Sequence, residues 1–279
     1  SGEASLEDGR IHTIKGVVVG DFQDTMSGFY LQEEDAEADD DPSTSEGIFV
    51  YSTSAVDAGD LVEVTGTVDE YFNLTELTSV SRVKVLGSGK PLPTPAAVSL
   101  PLAAVEDLEA FEGMRVNFPQ RLYVTGHYYL GRGGFVTLSS GDRLDQPTHV
   151  AAPGVAANAV AAANALNQII LDDGSLAQNP NSIVYSSNSA NPLSATHTLR
   201  GGDSVTNLTG VLTYHWHGWG GSEGAYRIHP TVTPGFTPTN PRPVTPPATG
   251  GSLKVAVVNL LNYFAEFGNQ CGPADNHDC

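Results

Sequence analysis

Gly59-Asp-Leu-Val-Glu-Val-Thr-Gly-Thr-Val68 is the stretch on which the reading of this chain turns. From Asp60 onward apolar and polar residues alternate, as they do in a strand with one face in a core and the other in water. Gly66 interrupts the pattern where a small closed barrel bends or bulges. Working outward, residues 11–19, 28–32 and 47–51 read as three strands before it, with a second in-strand glycine at Gly16. Residues 74–85 supply a fifth strand, broken by Ser and Thr. Five short strands within residues 1–90 are the arithmetic of an OB-type barrel.

The same phrase returns loosely as Gly202-Asp-Ser-Val-Thr-Asn-Leu-Thr-Gly-Val211. This internal repeat predicts a second barrel of one type with the first, over 96–235. Its strands are expected at 114–118, 121–125, 134–138, 204–214 and 225–229, with a short helix over 102–111. An insertion at 144–200 has an Ala-rich, helix-favouring part at 151–166 and turn signals at Asp172-Asp-Gly-Ser175 and Gln178-Asn-Pro-Asn181. Pro91, Pro93, Pro95 and Pro101 mark the boundary between the two modules. Residues 236–251 carry Pro238, Pro241, Pro243, Pro246 and Pro247, the composition of a semi-rigid linker. The apolar run 253–264 then reads as the buried first strand of a third domain, over 252–279, whose sheet lies beyond the chain given.

The chain of 279 residues has a formal charge of −19. Residues 1–95 hold 19 acids and 5 bases, and residues 96–235 hold 10 and 6. Such a surface excludes broad electrostatic capture of a phosphate backbone. Nucleic acid must be held locally, by a few Arg and aromatic groups or through bound cations. The bland reading is that the acids keep an exported protein soluble. No stretch is long enough to span a bilayer, and Ser1-Gly-Glu3 is no export signal, so any signal is expected to have been removed. Cys271 and Cys279 are the only cysteines. They read as a small disulfide-closed loop in an oxidising compartment, or as two free thiols in a reducing one.

Two further places carry chemistry. In the acidic loop 35–46, Asp35, Glu37, Asp39, Asp41, Ser43 and Glu46 fall on positions 1, 3, 5, 7, 9 and 12 of a calcium loop. Asp40 stands where that loop needs glycine and no helices flank it, so it is no EF-hand. A Ca²⁺ ion is one reading, and a solvated acidic turn the other. Arg121, Tyr123, Tyr128 and Arg132 cluster in one region, and Trp219 and Arg227 in another. Exposed rings stack on bases and Arg holds phosphates. The bland alternative is that alternate members fill the barrel core.

Asn259 and Asn262 sit inside the apolar run, where an amide needs a partner or a ligand. Val257-Val-Asn-Leu-Leu-Asn-Tyr-Phe264 resembles the opening strand of the endonuclease/exonuclease/phosphatase family. The likeness is to its branch of large bacterial extracellular nucleases. Leu31-Gln-Glu-Glu34, Thr44-Ser-Glu-Gly-Ile-Phe-Val50, Tyr123-Val-Thr-Gly-His-Tyr-Tyr-Leu-Gly131, Ile170-Leu-Asp-Asp-Gly-Ser175 and Gln178-Asn-Pro180 are similar to the same branch. The resemblance implies that 252–279 opens an α/β sandwich nuclease domain using Mg²⁺ or Mn²⁺, with Asn259 as its one catalytic residue here. It departs at Val258, where many relatives have Phe.

The expectation is therefore mainly β: two OB-like barrels, the second with a partly helical insertion, a linker, and the first strand of a nuclease domain. Such a chain would be a secreted monomer, packing against its own catalytic domain and recruiting DNA or RNA for hydrolysis without being active itself. A cell-surface scaffold and a carbohydrate-binding β module are the competing classes.

Overall fold

The computed structural model describes residues 5–39, 41–187, 191–216, 224–246, 248, 250–253 and 255–257. The chain divides into two compact units, Ser1–Pro241 and Arg242–Cys279. In the second unit Leu253, Val255 and Val257 are exposed and lie in no strand. The remainder of the expected strand, with Asn259 and both cysteines, lies outside the described residues.

In the first unit β1 (Ile11–Phe22), β2 (Gly28–Gln32), β3 (Gly47–Tyr51), β4 (Leu61–Tyr71) and β5 (Leu74–Gly87) form a mainly-β, OB-like closed barrel. The order around it is β1-β2-β3-β5-β4. The pair β3–β5 is parallel and the others are antiparallel. The barrel closes because β1 serves two neighbours: Ile11 to Val17 pair with β4, and Val17 to Phe22 with β2. Gly16 lies at that handover. A Cβ there would stand 2.6 Å from the Gln32 carbonyl oxygen, so only glycine lets the strands cross so closely. Val18, Phe29, Leu31, Val50, Val62, Val64 and Leu77 fill the interior. A short helix, α1 (Gln23–Met26), links β1 to β2.

The rest of this unit contains β6 (Ala96–Ala97), a 3₁₀ helix (Val105–Phe111), β7 (Arg115–Gly126), α2 (Leu130–Gly133), β8 (Val136–Ser140), α3 (Pro147–Val150), α4 (Val155–Leu166), β9 (Ile169–Leu171), β10 (Ser204–His215) and β11 (Ala225–Pro230). The sheet order is β10-β11-β9-β8-β7-β6, and β10 pairs also with β7. The segments 114–118 and 121–125, expected as two strands, are the single strand β7. Pro119 is tolerated because Pro119 and Gln120 together stand opposite Asn207, at a bulge. The expected helix over 102–111 is a shorter 3₁₀ turn. The expected insertion contains α3, α4 and the short strand β9, which pairs with both β8 and β11.

The repeated phrase forms the same turn twice. Gly59 and Gly202 have φ of 89° and 91°. Their N–H groups donate to the carbonyls of Val18 and Val124 at 2.8 Å, and the N–H groups of Val18 and Val124 donate back to Asp60 and Asp203 at 2.8 Å. The carboxylates of Asp60 and Asp203 accept from the N–H of Asp57 at 3.0 Å and of Arg200 at 2.8 Å. Both aspartates are buried. Register also slips at matching points, between Val18 and Gly20 and between Val124 and Gly126. A left-handed glycine followed by an aspartate that closes its own turn explains why this phrase, and no other, survives as a visible repeat.

The outer face of β1, β2 and β3 is covered within the same unit. All five residues of β2 are buried. Val19, Tyr30, Phe49 and Leu74 pack with Val211 of β10. The rings of Phe22 and Tyr30 lie 5.3 and 6.2 Å from that of His229. Gln32 Oε1 accepts the Arg115 N–H at 2.9 Å. At Gly47 an added Cβ would stand 2.3 Å from the Gly113 carbonyl carbon. Backbone meets backbone there, so the packing is tight and specific rather than greasy.

Candidate functional site

The connection from β7 to β8 presents the most exposed large ring of the Arg–aromatic cluster among the described residues. Tyr128 is 88% exposed. Its ring meets Tyr129 edge-on at 4.9 Å, Tyr129 stacks on Phe135 at 5.1 Å, and the Arg227 guanidinium lies 5.5 Å from the Phe135 ring centre. The result is a ladder of rings running from a buried cation to solvent. α2 sets its pitch: it ends at Gly134 in the left-handed conformation, φ 73°. The left-handed φ favours glycine here, and a Cβ at Gly134 would also displace the Asp173 carboxylate.

Behind the ladder lies a buried polar knot. Arg227 is 1% exposed. It donates to Asp172 Oδ2 at 2.6 Å and to the His215 carbonyl at 2.7 Å. The other oxygen of Asp172 accepts the Gly174 N–H at 2.9 Å. The Asp173 carboxylate accepts from Ser175 N–H, and burial, then the charge of Asp172, push it up to about 7. His229 is buried, and desolvation takes it down to about 3. Its ring is therefore neutral at ordinary pH and makes no ion pair with Asp172, 3.6 Å away. Arg227 thus belongs to the interior, its charge matched by Asp172 from the insertion.

The other expected residues are distributed differently. Arg121 is exposed and Tyr123 half-buried on one face of β7. Arg132 is exposed on α2, and its carbonyl accepts the Asn179 N–H at 2.8 Å. Trp219 lies outside the described residues. Two aromatic residues that the sequence reading passed over, Tyr71 and Phe72, are half-exposed at the β4–β5 turn. Their signal was legible: a Tyr-Phe-Asn tip between two alternating runs is an unusual hairpin turn.

In the acidic loop, Asp35 accepts from Thr94 N–H at 2.9 Å and from its hydroxyl at 2.7 Å, which hold its carboxyl below the usual range. Glu37 pairs with Lys15 at 2.8 Å. Asp39 and Asp41 accept from the N–H groups of Asp41 and Ser43 at 2.7 and 2.9 Å. Glu46 is raised by burial and by the charges of Asp39 and Glu33. Asp35, Glu37, Asp39, Asp41 and Glu46 thus each have a donor within the chain. Among the described residues no group of three or more His, Cys, Asp or Glu side chains is arranged to hold a metal ion. Among the same residues no helix is long and apolar enough to cross a membrane.

No family model matches the chain, and no curated protein or solved structure shows significant similarity to it. Nothing in these comparisons ties it to the nuclease family that its phrases resemble.

Proposed function

We propose that β7–β11 form a second OB-like barrel and that the two barrels are the nucleic-acid-recruiting, non-catalytic region of a secreted metal-dependent DNase. The pairings support the first half of this reading. β7-β8-β9-β11-β10 repeats, pair by pair, the antiparallel and parallel sense of β1-β2-β3-β5-β4. OB barrels take strands of nucleic acid on the face of their second and third strands and on the flanking loops. In the first barrel that face is covered by the second module, which leaves binding to the second.

The observation that carries the reading is the ring ladder ending in Tyr128, on the loop between the first and second strands of that module. Arg121, Tyr123 and Arg132 supply the other contacts in this reading. Binding would rest on base stacking more than on charge, so single strands should bind better than duplex and the salt dependence should be shallow. The phosphodiester chemistry, with Mg²⁺ or Mn²⁺ and Asn259, would belong to the domain beginning near residue 252. A Ca²⁺ ion in the 35–46 loop remains part of the proposal, tested by calorimetric titration of the protein with CaCl₂.

Fluorescence anisotropy with labelled single-stranded and duplex oligonucleotides, with and without Ca²⁺, tests the reading. Saturable binding to the single strand is expected. Tyr128→Ala should raise Kd about ten-fold, the loss of roughly one stacked base, while leaving Tm unchanged. No saturable binding at low salt would favour a structural scaffold instead.

A further inference from the structure

A second site lies away from the ring ladder, where the 3₁₀ helix and the end of α4 meet the starts of β9 and β11. It is a half-open cavity of about 340 Å³, within the size range of small-ligand pockets. Its walls are mostly apolar, with Val105, Leu108 and Ile170 among them, and the polar contributions come from Gln168 and Thr137 and the rings of Tyr214 and Tyr226. The Tyr226 hydroxyl donates to Glu109. Tyr214 and Tyr226 meet edge-on at 5.1 Å.

Two residues beyond Tyr214 stands Trp216, and Phe72 of the first barrel stacks on it at 5.1 Å, with Tyr71 edge-on to Phe72 at 4.8 Å. Tyr71 and Phe72 are 50% and 54% exposed. Phe72 adopts φ 52° and Asn73 φ 65°, the conformation of a two-residue hairpin turn that favours Asn and Gly. A bulky ring at such a φ costs conformational energy that the turn itself does not require. That strain marks the ring as wanted for something other than the turn.

Charge narrows the ligand. The hairpin 69–76 and the segment 102–113 hold Asp69, Glu70, Glu106, Asp107 and Glu109 outside the core, with Glu76 and Glu112 buried, and neither segment contains Lys or Arg. Phosphates would be repelled here. A polycation would be held by the exposed carboxylates alone and would gain nothing from an apolar cavity. An uncharged sugar matches all three features. Its C–H face covers an aromatic ring, its hydroxyls donate to carboxylates, and a ring enters the cavity without a charge to desolvate. We infer that the cavity, together with the aromatic cluster of Tyr71, Phe72 and Trp216, binds a neutral polysaccharide, a function separate from the nucleic-acid reading.

The test is saturation-transfer NMR and tryptophan fluorescence on the whole chain with neutral oligosaccharides of glucose, mannose, galactose and N-acetylglucosamine. Spermine and a single-stranded oligonucleotide serve as charged probes. At least one neutral oligosaccharide should bind saturably, with Kd below about 1 mM. Phe72→Asn relieves the backbone and removes the ring, so it should keep or raise Tm while weakening that binding at least about ten-fold. Ala165→Trp, which fills the cavity from an exposed position, should do the same to binding with the fold kept. Absence of saturable binding by every neutral oligosaccharide, binding of spermine alone, or sugar binding unchanged in both variants would each overturn the inference.

Discussion

Arg227 shows how far a single residue can be read without its partners. In the sequence it sits among aromatics and looks like a phosphate contact. In the fold it is buried against Asp172, a residue 55 positions away in the insertion. Nothing local to Arg227 announces that partner, so its burial was not legible. Tyr128 was legible because a Tyr-Tyr pair beside a Gly-rich turn has no apolar alternation to bury it. The buried pair makes a sharp prediction. Asp172→Asn leaves the guanidinium charged and without its counter-ion. Breaking one half of such a pair costs about 3–5 kcal/mol. Urea unfolding should show this loss, and the double variant Asp172→Leu with Arg227→Met should recover much of it, since two apolar side chains leave no charge uncompensated.

Among the elements, those whose residues alternate over a full strand were readable, and those defined by their neighbours were not. β4 carries its own pattern, and its turn at Gly59-Asp60 recurs at Gly202-Asp203 because a left-handed glycine and a turn-closing carboxylate are both demanded by the backbone. β9 is three residues long and exists only through its pairs on either side. β7 reads as two strands because proline normally ends a ladder, and only the bulge opposite Asn207 permits it. The contact between β3 and the end of the 3₁₀ segment was invisible for the same reason: Gly47 and Gly113 are ordinary glycines until they meet. Gly113 has φ 77°, and a Cβ on it would stand 2.6 Å from the Gly47 carbonyl carbon. Gly9, at φ 75° with open space around it, provides the control. Gly9→Ala should cost only the left-handed penalty of about 1–2 kcal/mol. Gly113→Ala should cost that plus about 1–3 kcal/mol of overpacking, seen as a lower urea midpoint.

For the molecule as a whole, the buried carboxylates set the response to pH. Glu112 is buried beside the start of β5. Its Oε1 accepts the Thr75 N–H at 3.3 Å, and burial, then the charge of Glu109, push its carboxyl up to about 8. Glu76 and Asp173 are pushed up to about 7, chiefly by burial. Each binds its proton more tightly in the folded chain than in the unfolded one. Their contribution is therefore complete below the ordinary carboxylate range and is lost as pH rises through about 7 to 8. His229 works in the opposite sense, since its folded value near 3 makes the native state less stable below about pH 6.5. Between about pH 4.5 and 6.5 the two effects oppose each other. Above about pH 6.5 the histidine is neutral in both states, and the carboxylates act alone. Stability measured by urea unfolding should thus fall from about pH 6.5 to about pH 9. Glu112→Gln keeps an acceptor for the Thr75 N–H and cannot ionise. It should flatten much of that slope and be more stable than the parent chain at about pH 9, whereas an unchanged slope would show that Glu112 is hydrated well enough in the fold to ionise at no cost.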